Sequence, residues 1–437
     1  MKKLFIVGFV AIAAALSAQQ DSSETWSWHF QFTGIMQGHP GFHAPYAGQN
    51  SLDSTREKAF SVTSTFYVGR KLWKNGEFYV DPEIAGGKGI SSALGIAGFT
   101  NGECFRIGDP SPALYMARMF LRQNLALTKE TEWQEADANQ LAGWIPKKRI
   151  TVTAGKFSIA DVFDCNSYSH DPRTQFLNWS LMSNGAWDYP ANTRGYTWGF
   201  MAEYIQPGFT ARISETMIPK YANGSVFDQN LGKARGETIE LEKNWGGDDK
   251  AGAVRIVAFR NLSRAGNYRD AINAYNAGDT TALYIDNLPT YGGQKYGFGI
   301  NAEQQFCSHL GAFMRAGWND GKTATWVFTE IDENVQGGLQ TDGSYWKRAD
   351  DVFGAAFSIN GISKDHADFL NTGGYGFIIG DGKLPHYATE NIFETYYSAK
   401  INKQFWLSFD YQYVQHPAYN PDRGPVHVWA VRGHIYF

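Results

Sequence analysis

The clearest pattern in the chain is a two-residue alternation near its end. Over residues 405–413 the odd positions Phe405, Leu407, Phe409, Tyr411 and Tyr413 are apolar or aromatic, while Ser408, Asp410 and Gln412 between them are polar. A strand with this pattern has one oily face and one wet face. The preceding stretch sets Phe393, Thr395, Tyr397, Ala399 and Ile401 against Glu394, Tyr396, Ser398 and Lys400, and Asn402, Lys403 and Gln404 separate the two. A three-residue turn pairs Ile401 with Phe405, Ala399 with Leu407 and Tyr397 with Phe409, so that the oily faces coincide. A two-residue turn would set them opposed. The three-residue turn is the expected one.

Other stretches repeat the alternation. Residues 427–437 place Trp429, Val431, Ile435 and Phe437 opposite Arg432, His434 and Tyr436. Residues 194–204 place Tyr196, Trp198, Phe200, Ala202 and Tyr204 opposite Thr197, Gly199, Met201 and Glu203. In residues 296–305, Tyr296, Phe298, Ile300 and Ala302 oppose Gly297, Gly299, Asn301, Glu303 and Gln305. Residues 152–157 alternate only weakly. Bulky outside and small or polar inside is the inversion of a water-filled barrel in lipid. A soluble sandwich would turn the bulky set into a dry interior and carry Lys and Glu outside. Tyr or Trp begins or ends several of the outward sets, as an interfacial aromatic girdle requires.

Composition agrees with strands: aromatics make up 15% of 437 residues, with 47 Gly and only 15 Pro. Residues 1–18 read as a secretory signal, with Lys2 and Lys3, an apolar run and a small-residue cleavage site at Leu16-Ser17-Ala18. The mature chain then starts at Gln19, and residues 19–437 form one unit with no visible linker or repeat. Beyond the signal, no apolar run reaches the roughly 18–20 residues of a spanning helix. The 39 basic and 43 acidic side chains give a net charge of −4, which does not suggest a nucleic-acid partner. Cys104, Cys165 and Cys307 are too far apart for a disulfide framework or zinc spacing. No serine-hydrolase elbow, zinc-protease helix or phosphate-binding loop motif is present, and no metal or cofactor is expected. Spread over sixteen strands, the mature chain leaves roughly 26 residues per strand and loop, a comfortable porin size. Segments 161–192, 263–293 and 320–351 are candidate long loops that fold inward or cover the mouth.

Several motifs say more. Gly155-Lys156-Phe157-Ser158 followed by Asp161 and Phe163, then His170-Asp171-Pro172-Arg173 and Gly185-Ala186-Trp187-Asp188-Tyr189-Pro190, resemble the carbohydrate-selective (OprB-like) porin family of Gram-negative outer membranes. So do residues 37–52, Asp81-Pro82-Glu83 with the glycines after it, Asn101-Gly102-Glu103, Gly380-Asp381-Gly382 and Asp422-Arg423-Gly424-Pro425. The resemblance implies an all-β fold: a transmembrane antiparallel β-barrel of sixteen strands with inward-folded loops. It also implies diffusion of mono- or oligosaccharides into the periplasm through a charged, aromatic-lined channel, by a monomer or homotrimer in outer-membrane lipid. The terminal Phe437 resembles the signal by which such barrels reach the barrel-assembly machinery; an ordinary last strand is the other reading. A carbohydrate-binding β-protein or a glycosidase, secreted or outer-membrane, is the alternative from another class.

Face assignment supplies the lumen candidates. If Ala117, Met119 and Leu121 face lipid, then Arg118, Phe120 and Arg122 point inward. A guanidinium offers a planar fork of donors suited to vicinal hydroxyls, Glu103 could accept from them, and aromatic faces can stack on a pyranose. Alternatively, Arg118 and Arg122 pair with acidic groups on neighbouring strands or an inward loop and brace the wall, and Phe120 packs beneath a loop. His170, Asp171 and Arg173 form a charged loop cluster, with Asp171 and Arg173 able to pair and fix the loop or to meet sugar. His39 and His43, bracketed by Pro40 and Pro45, read as a structural loop rather than a metal pair.

Overall fold

The computed structural model describes residues 23–247, 250–285 and 290–437. The signal sequence lies outside the described residues. Eighteen strands follow in chain order: β1 (Trp26–His39), β2 (Glu57–Trp73), β3 (Gly76–Gly87), β4 (Ala113–Ala126), β5 (Thr131–Gln134), β6 (Gly143–Pro146), β7 (Arg149–Phe157), β8 (Thr197–Gln206) and β9 (Phe209–Thr216). The second half comprises β10 (Arg235–Trp245), β11 (Gly252–Ser263), β12 (Gly293–Cys307), β13 (Leu310–Asn319), β14 (Glu333–Gly343), β15 (Arg348–Gly361), β16 (Glu390–Lys400), β17 (Phe405–Gln415) and β18 (Val426–Tyr436). Sixteen of them close into one antiparallel barrel in which β18 pairs with β1 and β4 with β7; β5 and β6 form a separate hairpin.

Period-two alternation decides which residues face out. Phe298, Ile300, Ile256, Ile239, Met314 and Val335 are exposed on the outer wall, whereas Asn301, Arg315, Glu240 and Gln336 from the same strands are buried inside. A closed barrel leaves no unpaired strand edge, so its backbone can cross hydrocarbon. The last hairpin has the expected register, Tyr397 opposite Phe409 and Ala399 opposite Leu407, with Ile401 N donating to Phe405 O at 2.9 Å. Phe437 completes the seam: Phe30 N donates to Phe437 O at 2.8 Å and Phe437 N to Phe30 O at 3.1 Å.

Three sequence expectations are corrected. Segment 320–351 is not one loop, because β14 begins at Glu333, where outward Val335 and Leu339 alternate with inward Gln336 and Gly338. Ala117 does not face lipid. Pro82 cannot donate to the sheet ladder, and opposite it the register steps from Asp81 paired with Arg118 to Pro82 paired with Met116, leaving Ala117 as a buried bulge residue. Tyr196 is not on the outer face either. It precedes β8, after Gly195 at φ +86°, and turns inward, 5% exposed.

Short turns and both described ends of the chain share one end of the barrel, and the long connections share the other, save residues 127–148, which join β4 to β7 at the short-turn end. In outer-membrane barrels the short turns face the periplasm and the long loops face outward. The helices α1 (Trp179–Met182), α2 (Tyr268–Asn276) and α3 (Lys364–Asn371) lie in long loops, and none is long and apolar enough to span a membrane. Tyr268 of α2 stacks on His366 of α3 at 4.3 Å.

Candidate functional site

The connection between β7 and β8, residues 158–196, enters the bore from the outer end and packs against the wall from β10 to β18. Its anchors are buried polar groups. Arg315 on β13, fully buried, donates to Asp164 Oδ1 at 3.2 Å, to Leu181 O at 3.0 Å and to Ser169 O at 2.6 Å. Glu394 on β16 accepts from the amides of Leu177 at 2.5 Å and Asn178 at 3.0 Å. Asn178 in turn caps α1 by accepting from Ser180 N. Arg432 on β18 donates to Pro172 O at 2.6 Å and to Gln175 O at 2.7 Å. The inward glycines explain the close fit: a Cβ at Gly299 or Gly317 would lie 1.9 Å or 2.0 Å from Asn184 of the loop. The small interior set of β12 and β13 therefore seats this loop and does not open onto water.

Opposite the loop, along β1, β2, β3, β4, β7 and β8 and, toward the periplasmic end, β17 and β18, the bore stays open as a series of voids of about 100, 530 and 400 Å³, in order from the outer to the periplasmic end. The first two meet at Glu103, Arg173, Arg194 and Tyr196. Here Arg173 lies between two carboxylates, with Nε 2.9 Å from Glu103 Oε2 and Nη2 3.2 Å from Glu83 Oε2, while Nη1 donates to Tyr67 OH at 2.9 Å. Glu83 also accepts from Thr65 at 2.5 Å, from Tyr196 at 3.1 Å and from Tyr115. The Pro82 bulge brings Tyr115 in: unbroken alternation would have put it on the lipid face with Met119 and Leu121. Arg194 is sandwiched between Phe105 at 4.5 Å and Tyr115 at 4.2 Å. Burial pushes the Glu103 carboxyl up from its ordinary range, against the pull of Arg173 and of the Thr63 hydroxyl.

The sequence candidates all point inward, with different partners. Arg118 forms a fork to Asp161 on the loop, at 2.6 and 2.7 Å, and reaches Asp81 on β3 at 3.5 Å. That is the bracing arrangement. Arg122 donates to the Asn139 carbonyl at 2.9 Å and lies over the rings of Tyr79 and Phe120, each at 5.2 Å. Phe120 packs on Tyr79 at 5.1 Å and lines the 530 Å³ void. Arg173 and Glu103 pair with each other. Asp171 does not pair with the Arg173 guanidinium; it accepts from the Arg173 amide at 2.9 Å and from Thr174, fixing its own turn. Among the described residues no cluster of three or more His, Cys, Asp or Glu is placed to hold a metal, and Cys104, Cys165 and Cys307 are unbridged.

Sequence reasoning missed Glu83, Tyr115, Tyr196 and Arg194. The signal for the first two was Pro82 in mid-strand, which demands a bulge. It also missed a second inward element. The β5–β6 hairpin, within residues 127–148, rises from the periplasmic end, and its tip meets the wall: Asn139 Nδ2 donates to Asp81 at 3.0 Å, Leu141 N to Tyr79 OH at 3.1 Å and Tyr436 OH to Asp137 at 2.7 Å.

Known proteins share this architecture. The family model "Carbohydrate-selective porin, OprB family" matches residues 50–437. Porin AaxA of Chlamydia caviae is 23% identical over 428 residues, spanning 97% of this chain and 72% of that protein. Porin AaxA of Chlamydia abortus is 22% identical over 424 residues, spanning 96% and 72%. The OprB structure from Pseudomonas putida at high pH superposes with a TM-score of 0.68 at 16% identity over 94% of both chains. The DcaP channel of Acinetobacter baumannii gives 0.51 at 8% identity over 96% of this chain and 99% of that one. At these identities the structural likenesses establish the fold. Fold and family together make this an outer-membrane porin. Matched over residues 50–437 and closed by sixteen strands, the chain belongs to the carbohydrate-selective porin, OprB family.

Proposed function

We propose that this porin passes carbohydrates along the open side of its bore and selects them where Glu103, Arg173, Arg194 and Tyr196 converge. The observation that carries this reading is the balanced set at that point: one guanidinium held between Glu83 and Glu103, with tyrosine rings beside it. A neutral polyhydroxylated solute finds donors and acceptors there, and ring faces for its C–H side, without crossing a strongly one-signed field. Fixed groups of this kind bind weakly and release fast, as passage requires. Arg118, Arg122 and Phe120 shape the wall below this point; Glu103 and Arg173 offer the sugar contacts. The test is liposome swelling and single-channel block with a panel of mono- and disaccharides. Arg173→Met should weaken sugar block while the pore still conducts ions. Unchanged block for every sugar would remove the convergence point from the pathway.

The biogenesis reading is proposed with it: residues 1–18 direct export, residues 19–437 insert as one barrel, and the Phe437 ring is read by the assembly machinery. Phe437→Ala keeps both backbone bonds to Phe30 and removes the ring. Lower outer-membrane yield from this variant supports recognition of the ring, and normal yield contradicts it. Whether the barrel works as a monomer or homotrimer is read by cross-linking in the membrane.

A further inference from the structure

Outside the bore, the outer wall at the β2–β1–β18 seam carries a notch of about 440 Å³ with its own chemistry. The register defines it row by row. Phe60, Met36 and Val431 lie side by side, and one row further toward the long loops come Lys58, Gly38 and Trp429. Above these the notch is bounded by Pro40 and Arg56. Gly38 makes the depression: a Cβ there would lie 2.7 Å from Glu57 O and 3.3 Å from Lys58 Cγ. Trp429, 60% exposed, stands against Tyr411 at 4.4 Å as one flank, and Met36, 53% exposed, is part of the floor. His427 on β18 is exposed beside them.

The order up the wall is apolar, aromatic, then basic, and the aromatic row marks the membrane interface. The basic groups differ from their counterparts elsewhere on the rim. Arg235 and Arg260, on the outer ends of β10 and β11, are neutralised by Glu215 and Glu237. Among the described residues Arg56 and Lys58 have no ion pair. The nearby Glu57 carboxylate turns to Ser91 and His39, and exposed Asp53 is occupied by Thr55. Two uncompensated cations therefore stand just above an apolar notch at the level where lipid headgroups begin.

We infer that this notch is a binding site for a phosphate-bearing lipid of the outer leaflet. Acyl chain lies over Met36, Phe60 and Val431, the headgroup packs on Trp429, and Arg56 and Lys58 take the phosphate. Commitment to a lipid rather than free phosphate rests on the apolar floor, which an inorganic ion cannot use.

The test uses the full barrel purified in detergent and incubated with phosphorylated lipid A or its dephosphorylated form, with bound lipid counted by native mass spectrometry. The parent should retain one phosphorylated lipid through detergent exchange, and retain the dephosphorylated form severalfold less. Arg56→Ala with Lys58→Ala should lose that preference, whereas Arg260→Ala should keep it. Trp429→Ala should weaken both lipids while leaving their order unchanged. Both basic side chains are exposed, so folding of the double variant is checked simply by its heat-modifiable migration. Equal retention of the two lipids by the parent, or an unchanged preference in the folded double variant, would overturn the inference. Displacement of the lipid by inorganic phosphate alone would also overturn it, by showing that the apolar floor contributes nothing.

Discussion

Two segments enter this bore from opposite ends, and they are held in different ways. Residues 158–196 are fastened by Arg315, Glu394, Arg432 and Gln336, wall groups buried to 1% exposure or less that bond loop amides and carbonyls. The β5–β6 hairpin is tied chiefly by bonds at its tip, where Leu141 is buried, while Trp144 on β6 is 56% exposed. A buried charge cannot lose its partner cheaply, but an exposed turn can exchange its bonds for water. The difference assigns roles: the loop is part of the folded barrel and fixes which side of the bore is open, while the hairpin trims the exit.

The strongest way to break that comparison is to attack the loop's central anchor. Arg315→Met leaves Asp164 without its ion-pair partner at 1% side-chain exposure and strands the Ser169 carbonyl. The expected cost is about 3–5 kcal/mol, read by denaturant unfolding from vesicles and by loss of the heat-modifiable band. Arg118→Ala unties the loop from the wall at Asp161, where solvent reaches the pair, and removes the more distant 3.5 Å contact to buried Asp81; it should cost less, about 1.5–3 kcal/mol. Exchanging residues 130–146 for a short turn should leave folded yield near the parent's and raise single-channel conductance severalfold. A collapse in yield would show that the hairpin, too, is structural. Arg122→Ala removes one bond to a backbone carbonyl and two ring contacts; about 1 kcal/mol is expected, with a modest rise in conductance.

A gentler probe is pH. Because burial raises the Glu103 carboxyl, the folded state takes up that proton at a higher pH than a free glutamate does. On acidification Glu103 becomes neutral before a free glutamate would, and Arg173 then faces less negative charge. Reversal potentials should move toward anion preference as pH falls, starting above the ordinary carboxylate range. By the same sign, this group stabilises the fold on acidification through that window, since the native state binds the proton more tightly than the unfolded chain. Glu103→Gln should abolish the step.

The barrel was legible because its physics is local: alternation fixes faces, and coincident faces fix the register of the 397–409 hairpin. Arg118, Phe120 and Arg122 followed from the same rule. The rule failed wherever backbone broke the period. At Pro82 a bulge shifted the phase and turned Tyr115 inward, and at Gly195 a turn swung Tyr196 off the outer face. Partner choice was not legible at all. Arg173 meets Glu83 and Glu103 from far along the chain, and its near neighbour Asp171 prefers backbone amides. The glycines of β12 read as a wet wall, yet they seat a loop whose path depends on contacts across the whole barrel.

The central claim is that solute passes on the open side, between the loop and the β1–β8 wall. Ala160 lines the 530 Å³ void there, whereas Ser214, on the inward face of β9, is buried and lines none of the three voids. With Cys104, Cys165 and Cys307 replaced by alanine, Ala160→Cys and Ser214→Cys are each exposed to a bulky methanethiosulfonate during single-channel recording. The account predicts a stepwise fall in current and in sugar flux for Ala160→Cys and no change for Ser214→Cys. Block at Ser214→Cys with an unaffected Ala160→Cys would contradict it.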